Sequence, residues 1–430
     1  MDNFVFFKRW RATCFSLVSI FFLIPFCGWS QDNFDEYKGR VVDARDGDAL
    51  VYASLAVDGT NISTITNTEG YFSLKIPSGS NASTVMVSFL GYQSKQVPLS
   101  NFTNENTVIE LETSVTQLAE VDINFPKDAE ALVRNVFKKK AENNLNDPTV
   151  MTAFYRETIR KRRKNASLTE AVVNIYKEPY VGNKKDEVQL YKSRKSTDYS
   201  KLDTIALKLM GGPFNNLYGD LIKYPETIFG EDEFNFYDFK FAQSTSINNR
   251  PMYVVSFRAK PEIVLPTYYG NLFIDVKTQA LIRAEYQLNV ENKQLASEFF
   301  VRKKPANTDV YPTLASYRVD YREKDGKWYY GYSSVNLEFK VSKRRKLFNS
   351  VYSLTSEMAI TDWELNTTGK GLTLREKLRP TVVIVDEASG FSDPDFWGAY
   401  NVIEPEKSIE SAIEKIKRQL ERARKQGNGQ

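Results

Sequence analysis

Residues 281–290 read LIRAEYQLNV, and this stretch decides the class of fold. Apolar and polar residues alternate along it, so a strand here turns its apolar side chains to one face of a sheet and leaves the other face wet. The apolar positions are Ile282, Ala284, Tyr286, Leu288 and Val290. The same alternation occurs in 317–321 and 335–341, with the hairpin signal Asp325-Gly326 between them. The stretch therefore predicts a large antiparallel sheet.

Two segments further toward the N-terminus, 204–210 and 217–222, interrupt the β-rich sequence. They flank Gly211-Gly212-Pro213, a combination that breaks regular structure. We predict two short helices here, which form a lid or a plug over one end of the sheet.

A second β-rich region precedes the large sheet. Between Tyr37 and Glu112 seven short β-rich runs alternate with turns in which glycine supplies the positive φ that tight turns require. The runs are 39–42, 50–57, 62–66, 71–76, 85–89, 93–99 and 108–111. Seven short strands in this spacing predict a small β-sandwich. Asp43, Asp46 and Asp48 surround one of its turns, and we interpret them as hairpin residues rather than as a calcium site.

Four blocks of this region resemble the carboxypeptidase-like regulatory domain. They are GRVVD at 39–43, ASLAV at 53–57, TNTEGYFSL at 66–74 and VSFLGY at 87–92. The resemblance implies a transthyretin-like sandwich, found on envelope proteins and at the front of TonB-dependent receptors of Gram-negative bacteria. It implies an accessory domain and no catalytic activity. The chain is too short for the plug and barrel of such a receptor.

A connecting segment joins the two β-rich regions. Residues 118–123 are predicted to form a strand, and Pro126 separates it from a helix at 128–137. The apolar positions of this helix recur at helical spacing and Lys138–Lys140 follow at its C-terminal end, which suits the helix dipole. We therefore predict an amphipathic helix that packs on the large domain.

Three aromatic residues near the C-terminus, Phe396, Trp397 and Tyr400, lie in a Pro- and Gly-punctuated loop without strand alternation. They either dock on the large domain or form a patch that binds a partner or ligand. An amphipathic helix with an apolar stripe at 409, 413, 416 and 420 is predicted after them. The chain ends in a basic and polar tail rather than an aromatic strand, so we do not expect an integral outer-membrane barrel.

The first thirty residues are predicted to be a secretory signal peptide. Basic residues at 8, 9 and 11 precede an apolar stretch, and Gly28 and Ser30 form a small-residue cleavage site before Gln31. A membrane anchor and lipid attachment at Cys27 are the alternatives. The apolar stretch is shorter than a spanning helix, and the bulky Phe26 does not suit a lipobox. We expect an exported protein, periplasmic or associated with the outer membrane, without a membrane span in the mature chain.

The composition excludes most familiar catalytic sites. The chain contains no histidine, and its two cysteines, Cys14 and Cys27, lie in the predicted signal peptide. This excludes a Ser-His-Asp triad, a His-ligated zinc and a Cys-His pair. The net charge of +4, from 58 basic and 54 acidic residues, gives no general attraction to nucleic acid. We predict no enzymatic activity, no metal and no cofactor, with a carboxylate-based glycan hydrolase as an alternative.

Two basic runs, Lys161–Lys164 and Lys343–Lys346, adjoin predicted strands. They are interpreted as solvated hairpin tips or as contacts to anionic lipid headgroups. Residues 270–275, with Thr278 and the strand from Leu281, are weakly similar to the repeats of periplasmic lipoprotein-carrier-like half-barrels. That similarity implies a sheet curled around a helix and an apolar guest. The alternative is that the aromatic residues are simply core.

The sequence thus predicts a mainly β protein: a transthyretin-like β-sandwich, a larger antiparallel β domain, a connecting helix and a C-terminal amphipathic helix. The predicted units are the signal peptide at 1–30, the sandwich at 31–118, the connecting strand and helix at 119–148, the antiparallel domain at 149–403, and the C-terminal helix and tail at 404–430. We predict a non-enzymatic envelope protein that binds or scaffolds a protein, glycan or lipid. The alternatives are a periplasmic carrier of an apolar ligand, lipid or lipoprotein, and the glycan hydrolase.

Overall fold

The computed structural model describes residues 33–114, 126–162, 164–197, 209–247, 249–301, 306–343, 349–390, 396–407 and 409. The predicted signal peptide, the strand at 118–123, most of the helix at 204–210 and nearly all of the C-terminal helix lie outside these residues. The described residues form a small β-sandwich and a large antiparallel sheet with few helices, which confirms the predicted fold class. Among them, no helix is long and apolar enough to cross a membrane.

The sandwich contains seven strands, and each overlaps one of the seven predicted runs. They are β1 Phe34–Asp43, β2 Ser54–Val57, β3 Ser63–Ile65, β4 Tyr71–Pro77, β5 Thr84–Ser88, β6 Lys95–Pro98 and β7 Thr107–Leu111. One sheet has the order β4-β1-β7 and the other β3-β2-β5-β6. Gly39 is needed where β1 and β7 approach, because a Cβ there would lie 2.0 Å from the carbonyl oxygen of Thr107.

The predicted connecting helix is α1, Ala129–Lys138, followed by the single turn α2, Lys140–Asn143. Asp128 begins α1, since its side chain accepts a hydrogen bond from the N–H of Ala131 at 3.0 Å. The buried residues of α1 pack into the core of the large domain; they are Ala129, Leu132, Val133 and Val136.

The large sheet contains eleven strands. They are β8 Thr149–Lys161, β9 Lys164–Lys177, β10 Glu187–Thr197, β11 Tyr237–Ile247, β12 Arg250–Ala259, β13 Tyr268–Asp275, β14 Leu281–Leu288, β15 Thr308–Lys324, β16 Lys327–Lys343, β17 Ser350–Leu365 and β18 Ser389–Gly390. The order is β11-β12-β13-β14-β15-β16-β17-β8-β9-β10-β18. Neighbours are antiparallel except β10 and the short β18. The first strand of the domain, β8, therefore pairs with the late strand β17.

Among the described residues of the domain there are also three short α-helices: α3 Pro213–Leu217, α4 Lys293–Phe300 and α5 Ile384–Glu387. The prediction of a helix at 217–222 was wrong in position, since the helix begins at Pro213 and ends at Leu217. Proline suits the first helical position, and Gly212 precedes it with a φ of +49°. Residues 209–236, which we call the insert, lie between β10 and β11.

The sheet curls around the insert. Asp220 of the insert accepts a hydrogen bond from the hydroxyl of Tyr321 on β15 at 2.8 Å, and its carboxylate lies 2.8 Å from Nζ of Lys177 on β9. These strands are four positions apart in the sheet, about 19 Å at the usual strand spacing of ~4.8 Å. The side chains of Tyr321 and Lys177 can both reach the carboxylate of Asp220 only if the sheet curves. We call the face toward the insert the inner face and the other the outer face.

The sandwich covers part of the outer face. Asn61 donates a hydrogen bond to the carbonyl of Trp363 at 2.6 Å, and Ser63 donates one to the carbonyl of Ile360 at 3.1 Å. One consequence corrects the expectation of a fully wet face, because Arg283 is buried at 5% exposure although it points away from the apolar side of β14. Glu285 is partly buried and Gln287 exposed, as expected further from the contact.

Candidate functional site

The order of the large sheet brings the described residues of the two basic runs to the same end. The hairpin between β8 and β9 turns at 161–164, and the start of β17 pairs with it through Tyr352 and Lys161. On its other side β17 pairs with the end of β16, which finishes at Lys343. We call Lys161, Arg162, Lys164 and Lys343 the basic end. Arg163 and residues 344–348, which complete the two runs, lie outside the described residues.

The first run forms the tight hairpin tip that the sequence predicted. Arg162 has a φ of +56°, and its N–H donates a hydrogen bond to the carbonyl of Val351 at 2.9 Å. The ammonium of Lys161 lies 5.9 Å from the ring centre of Tyr352. Arg162 and Lys164 are exposed. Positive charge is therefore presented to solvent at this hairpin tip.

Apolar side chains line the inner face just below the basic end. We call them the end cluster, and they are Ile159, Ala166, Leu288, Val310, Ala315, Val335, Leu337, Phe339, Val341, Tyr352 and Leu354. The helix α4 covers this cluster, since Phe300 and the following Val301 pack on it. The rings of Phe300 and Phe339 meet edge to face with centres 5.7 Å apart.

Exposed apolar residues gather at this end as well. Of the nine large apolar side chains that are exposed in the described part of the chain, four belong to the β12–β13 loop, to α4 or to a bulge of β15. They are Val264, Leu265, Phe299 and Leu314, with exposed fractions of 78%, 61%, 56% and 38%. A groove of about 600 Å³ runs between that loop and β14–β15, and two end-cluster members, Leu288 and Ala315, form part of its wall.

A polar belt crosses the inner face between the end cluster and the rest of the core. Asn216 of α3 donates to the carbonyl of Ser333 at 3.0 Å and accepts from the hydroxyl of Ser356 at 2.8 Å. Beside it, burial raises the pKa of Glu157 to about 7, although the hydroxyl of Tyr155 donates a hydrogen bond to the carboxylate at 2.9 Å. The belt fastens the insert to the sheet.

Sequence reasoning missed two buried ion networks. Lys177 lies 2.7 Å from Asp186 as well as near Asp220, all three buried on the inner side. On the outer side, Glu170 bridges Arg156 and Arg194 at 2.8 Å each. Burial opposes ionisation of Glu170, but the two guanidiniums hold its pKa below the usual range. No pattern marked these residues, because alternating charges in a strand normally indicate a solvated face.

The three aromatic residues singled out near the C-terminus lie together on the outer face of β8–β10. Trp397 is 7% exposed, and its ring meets that of Phe154 edge to face at 5.4 Å. The guanidinium of Arg194 lies 4.8 Å from the same ring. Phe396 packs on Trp397 at 4.8 Å, and Tyr400 packs on Tyr191 at 5.2 Å. The residues are docked on the sheet, and a role in binding a partner stays a prediction.

Comparison with known proteins defines the class of the small domain. Residues 37–123 match the family model of the CarboxypepD_reg-like domain, which confirms the resemblance drawn from the four sequence blocks. The family of this regulatory-like domain is non-catalytic. No curated protein matches the sequence significantly.

Among solved structures, the chain is similar to a DUF1329 family protein from Desulfovibrio piger. The identity is 11%, the TM-score is 0.26, and the match covers 57% of this chain and 95% of that one. A TM-score of this size does not establish a common fold, so the function is argued from this chain's own residues.

Proposed function

We propose that this protein is an exported, non-enzymatic binding protein of the bacterial cell envelope, and that its guest is an anionic lipid held at the basic end. The single observation that carries the proposal is that Lys343 lies at the same end of the sheet as the distant residues Lys161, Arg162 and Lys164, beside the end cluster and its helix α4. Anionic headgroups attract clustered Lys and Arg, and acyl chains require an apolar surface nearby.

The apolar half of the site supports the same ligand. The groove of about 600 Å³ is bordered by Val264, Leu265 and Leu314. Phe299 is exposed to solvent on α4. A soluble protein gains nothing from exposing such side chains together unless something covers them. A lipid supplies both a negative headgroup for the basic end and an acyl chain for these residues. This is the arrangement expected of a lipid carrier.

The absence of enzymatic activity is proposed on two grounds. The chain has no histidine, and its small domain belongs to a non-catalytic accessory class. Glu157, whose pKa is raised by burial, lies inside the polar belt and accepts a hydrogen bond from the hydroxyl of Tyr155. Export is proposed from the predicted signal peptide. Fractionation of native cells tests it, together with an intact mass that should correspond to a mature chain beginning at Gln31.

Vesicle flotation tests the lipid proposal. The protein should float with vesicles of phosphatidylcholine and phosphatidylglycerol and remain behind with phosphatidylcholine alone. The double variant Arg162→Glu and Lys164→Glu should bind the anionic vesicles at least about tenfold more weakly, since each basic residue near such a surface contributes about 1 kcal/mol. Added salt should weaken binding of the parent.

The matched control reverses the same amount of charge at the other end of the same strands. Lys184 and Lys185 lie in the β9–β10 connection, and both are exposed. The variant Lys184→Glu and Lys185→Glu should bind anionic vesicles like the parent. Equal loss of vesicle binding in both double variants would mean that only net charge matters.

Mass spectrometry of gently purified protein should find a co-purified anionic lipid, and repeated lipid-free preparations argue against a carrier.

A further inference from the structure

A second site lies between the two domains, away from the basic end. One sheet of the sandwich, β3-β2-β5-β6, turns the side away from the sandwich core toward β14 and β15 of the large sheet. A cleft of about 640 Å³ separates the two surfaces. Small-molecule sites have volumes of roughly 300–1,000 Å³. The cleft is therefore large enough for a ligand of a few rings.

Hydrogen bonds between the domains fix the width of the cleft at two edges. At one edge the N–H of Gly91 donates to the carbonyl of Ser246 at 2.7 Å, and the N–H of Ser94 donates to Oδ1 of Asn249 at 3.0 Å. At the other edge Asn61 bonds to the carbonyl of Trp363, and Lys324 bonds to the side chain of Asn61. These hydrogen bonds hold the two walls at a defined separation, so the cleft is preformed.

The sandwich wall carries one charged side chain, Asp58, among uncharged ones. Strand alternation sends Leu55, Val57, Val85 and Val87 into the sandwich core. The intervening side chains line the cleft instead; they are Ser54, Ala56, Met86, Ser88 and, from β6, Gln96. The hydroxyl and amide groups of this wall both donate and accept hydrogen bonds, and Ala56 and Met86 add apolar surface.

The charges that line the cleft cancel only when both walls are counted. The four cationic side chains Arg250, Arg283, Arg322 and Lys324 are matched by four anionic ones: Asp320, Glu323 and Asp325 on the large domain, and Asp58 on the sandwich. Arg283 pairs with Asp320, and Arg250 lies 2.6 Å from Glu323. Tyr52 of the sandwich and Tyr329 and Tyr332 of β16 add aromatic surface. The cleft as a whole offers many directed donors and acceptors but no net charge for an ion.

We propose that this cleft binds an uncharged oligosaccharide of the cell envelope. Sugars present hydroxyl groups in all directions and apolar ring faces, which match paired charges, amides, serines and tyrosine rings. Charge neutrality makes the cleft unsuited to the anionic lipid of the basic end. The two sites lie on different faces of the molecule, so the saccharide site stands independently of the proposed lipid binding.

Calorimetric titration of the full chain with neutral oligosaccharides, namely chitotetraose, maltotetraose and cellotetraose, tests the proposal. At least one should bind, and the cleft-filling variant Ala56→Trp should abolish that binding. Val108→Trp is the matched control, because Val108 is exposed on β7 of the sandwich and does not line the cleft. The control should bind like the parent. Neither variant should change flotation with anionic vesicles.

A gentler variant guards against misfolding of Ala56→Trp. Gln96 is exposed, and Gln96→Ala should weaken saccharide binding by roughly two- to tenfold, the effect of one lost hydrogen bond. Failure of all three oligosaccharides to bind at millimolar concentration overturns the proposal. So does equal binding by the parent and Ala56→Trp, or tighter, salt-sensitive binding of trigalacturonate.

Discussion

Glu157 shows how a single residue can sense pH in this fold. The residue is 2% exposed on the inner face, and burial raises the pKa of its carboxyl group from 4.5 to about 7. The native state therefore holds this proton more tightly than the unfolded state does. Its contribution to stability is complete below pH 4.5 and is lost as the pH rises through about 7.

Replacing Glu157 with glutamine should remove this loss. At alkaline pH, Glu157→Gln should have a higher free energy of unfolding than the parent, by on the order of 3 kcal/mol. Below pH 4.5 the two proteins should be about equally stable. Urea unfolding at several pH values measures the difference, with Glu226→Gln at an exposed position as control. Burial also raises the pKa of Glu357, so some pH dependence should persist in the variant.

Substitution of Trp397 distinguishes the two interpretations of the C-terminal aromatic residues, docking on the large domain and binding of a partner. The ring of Trp397 is buried against Phe154 and Arg194, so Trp397→Ala should lower the free energy of unfolding by about 3–5 kcal/mol. Leu374→Ala is the control, because Leu374 is 93% exposed and its loss should change little. A Trp397→Ala protein that melts like the parent but loses a co-purified partner would favour the binding patch instead.

Among the larger elements, the sandwich has a core of its own. Its fourteen buried apolar residues come from its strands and turns, and none comes from the large sheet. Two of its strands, β1 and β7, pair in parallel although they lie at opposite ends of the domain's sequence. The core is therefore complete only when the whole region 34–111 is present.

A fragment of residues 33–118 should accordingly fold alone and unfold in one cooperative thermal transition. Leu55 is fully buried in its core, so Leu55→Ala in the fragment should cost about 2–5 kcal/mol and lower the transition temperature. Circular dichroism follows both. A fragment that remains unfolded would show that contacts with the large sheet complete the sandwich.

At the scale of the whole molecule, the segment 396–407 lies between the two domains and binds both. Asn401 forms a pair of hydrogen bonds with the backbone of Lys75, accepting from its N–H at 2.7 Å and donating to its carbonyl at 2.8 Å. Two residues further, the carbonyl of Ile403 accepts a hydrogen bond from Arg156 on β8 at 2.6 Å. The segment thus couples the sandwich to the large sheet.

Removing the Asn401 amide should weaken this coupling. Asn401→Ala leaves the buried backbone groups of Lys75 without that partner, at a cost of about 1–3 kcal/mol for each. We expect calorimetry to resolve separate unfolding of the two domains, where the parent unfolds in a more concerted way. Asn183→Ala, at an exposed loop position, should leave the parent's profile unchanged. An unchanged profile in Asn401→Ala would contradict the coupling role.

The sequence by itself determined the local features of this protein. The alternation in 281–290 placed Ile282, Ala284, Tyr286 and Leu288 on one buried face, and the turn signals located all seven sandwich strands. The helical spacing of apolar residues predicted helix α1 equally well. Strand alternation, turn conformation and helical spacing are properties of neighbouring residues, so a local pattern reports them directly.

Only the tertiary structure decided which distant segments meet. The pairing of β8 with β17 brings Lys161 and Lys343 to one end, and the packing of the sandwich buries Arg283 and creates the cleft. The segment 396–407, in turn, lies over the network of Arg156, Glu170 and Arg194, since Ile403 accepts a hydrogen bond from Arg156 and the ring of Trp397 packs on Arg194. Strand order and the covering of a face depend on the free energy of contacts between residues far apart in the chain, and no local pattern encodes those contacts.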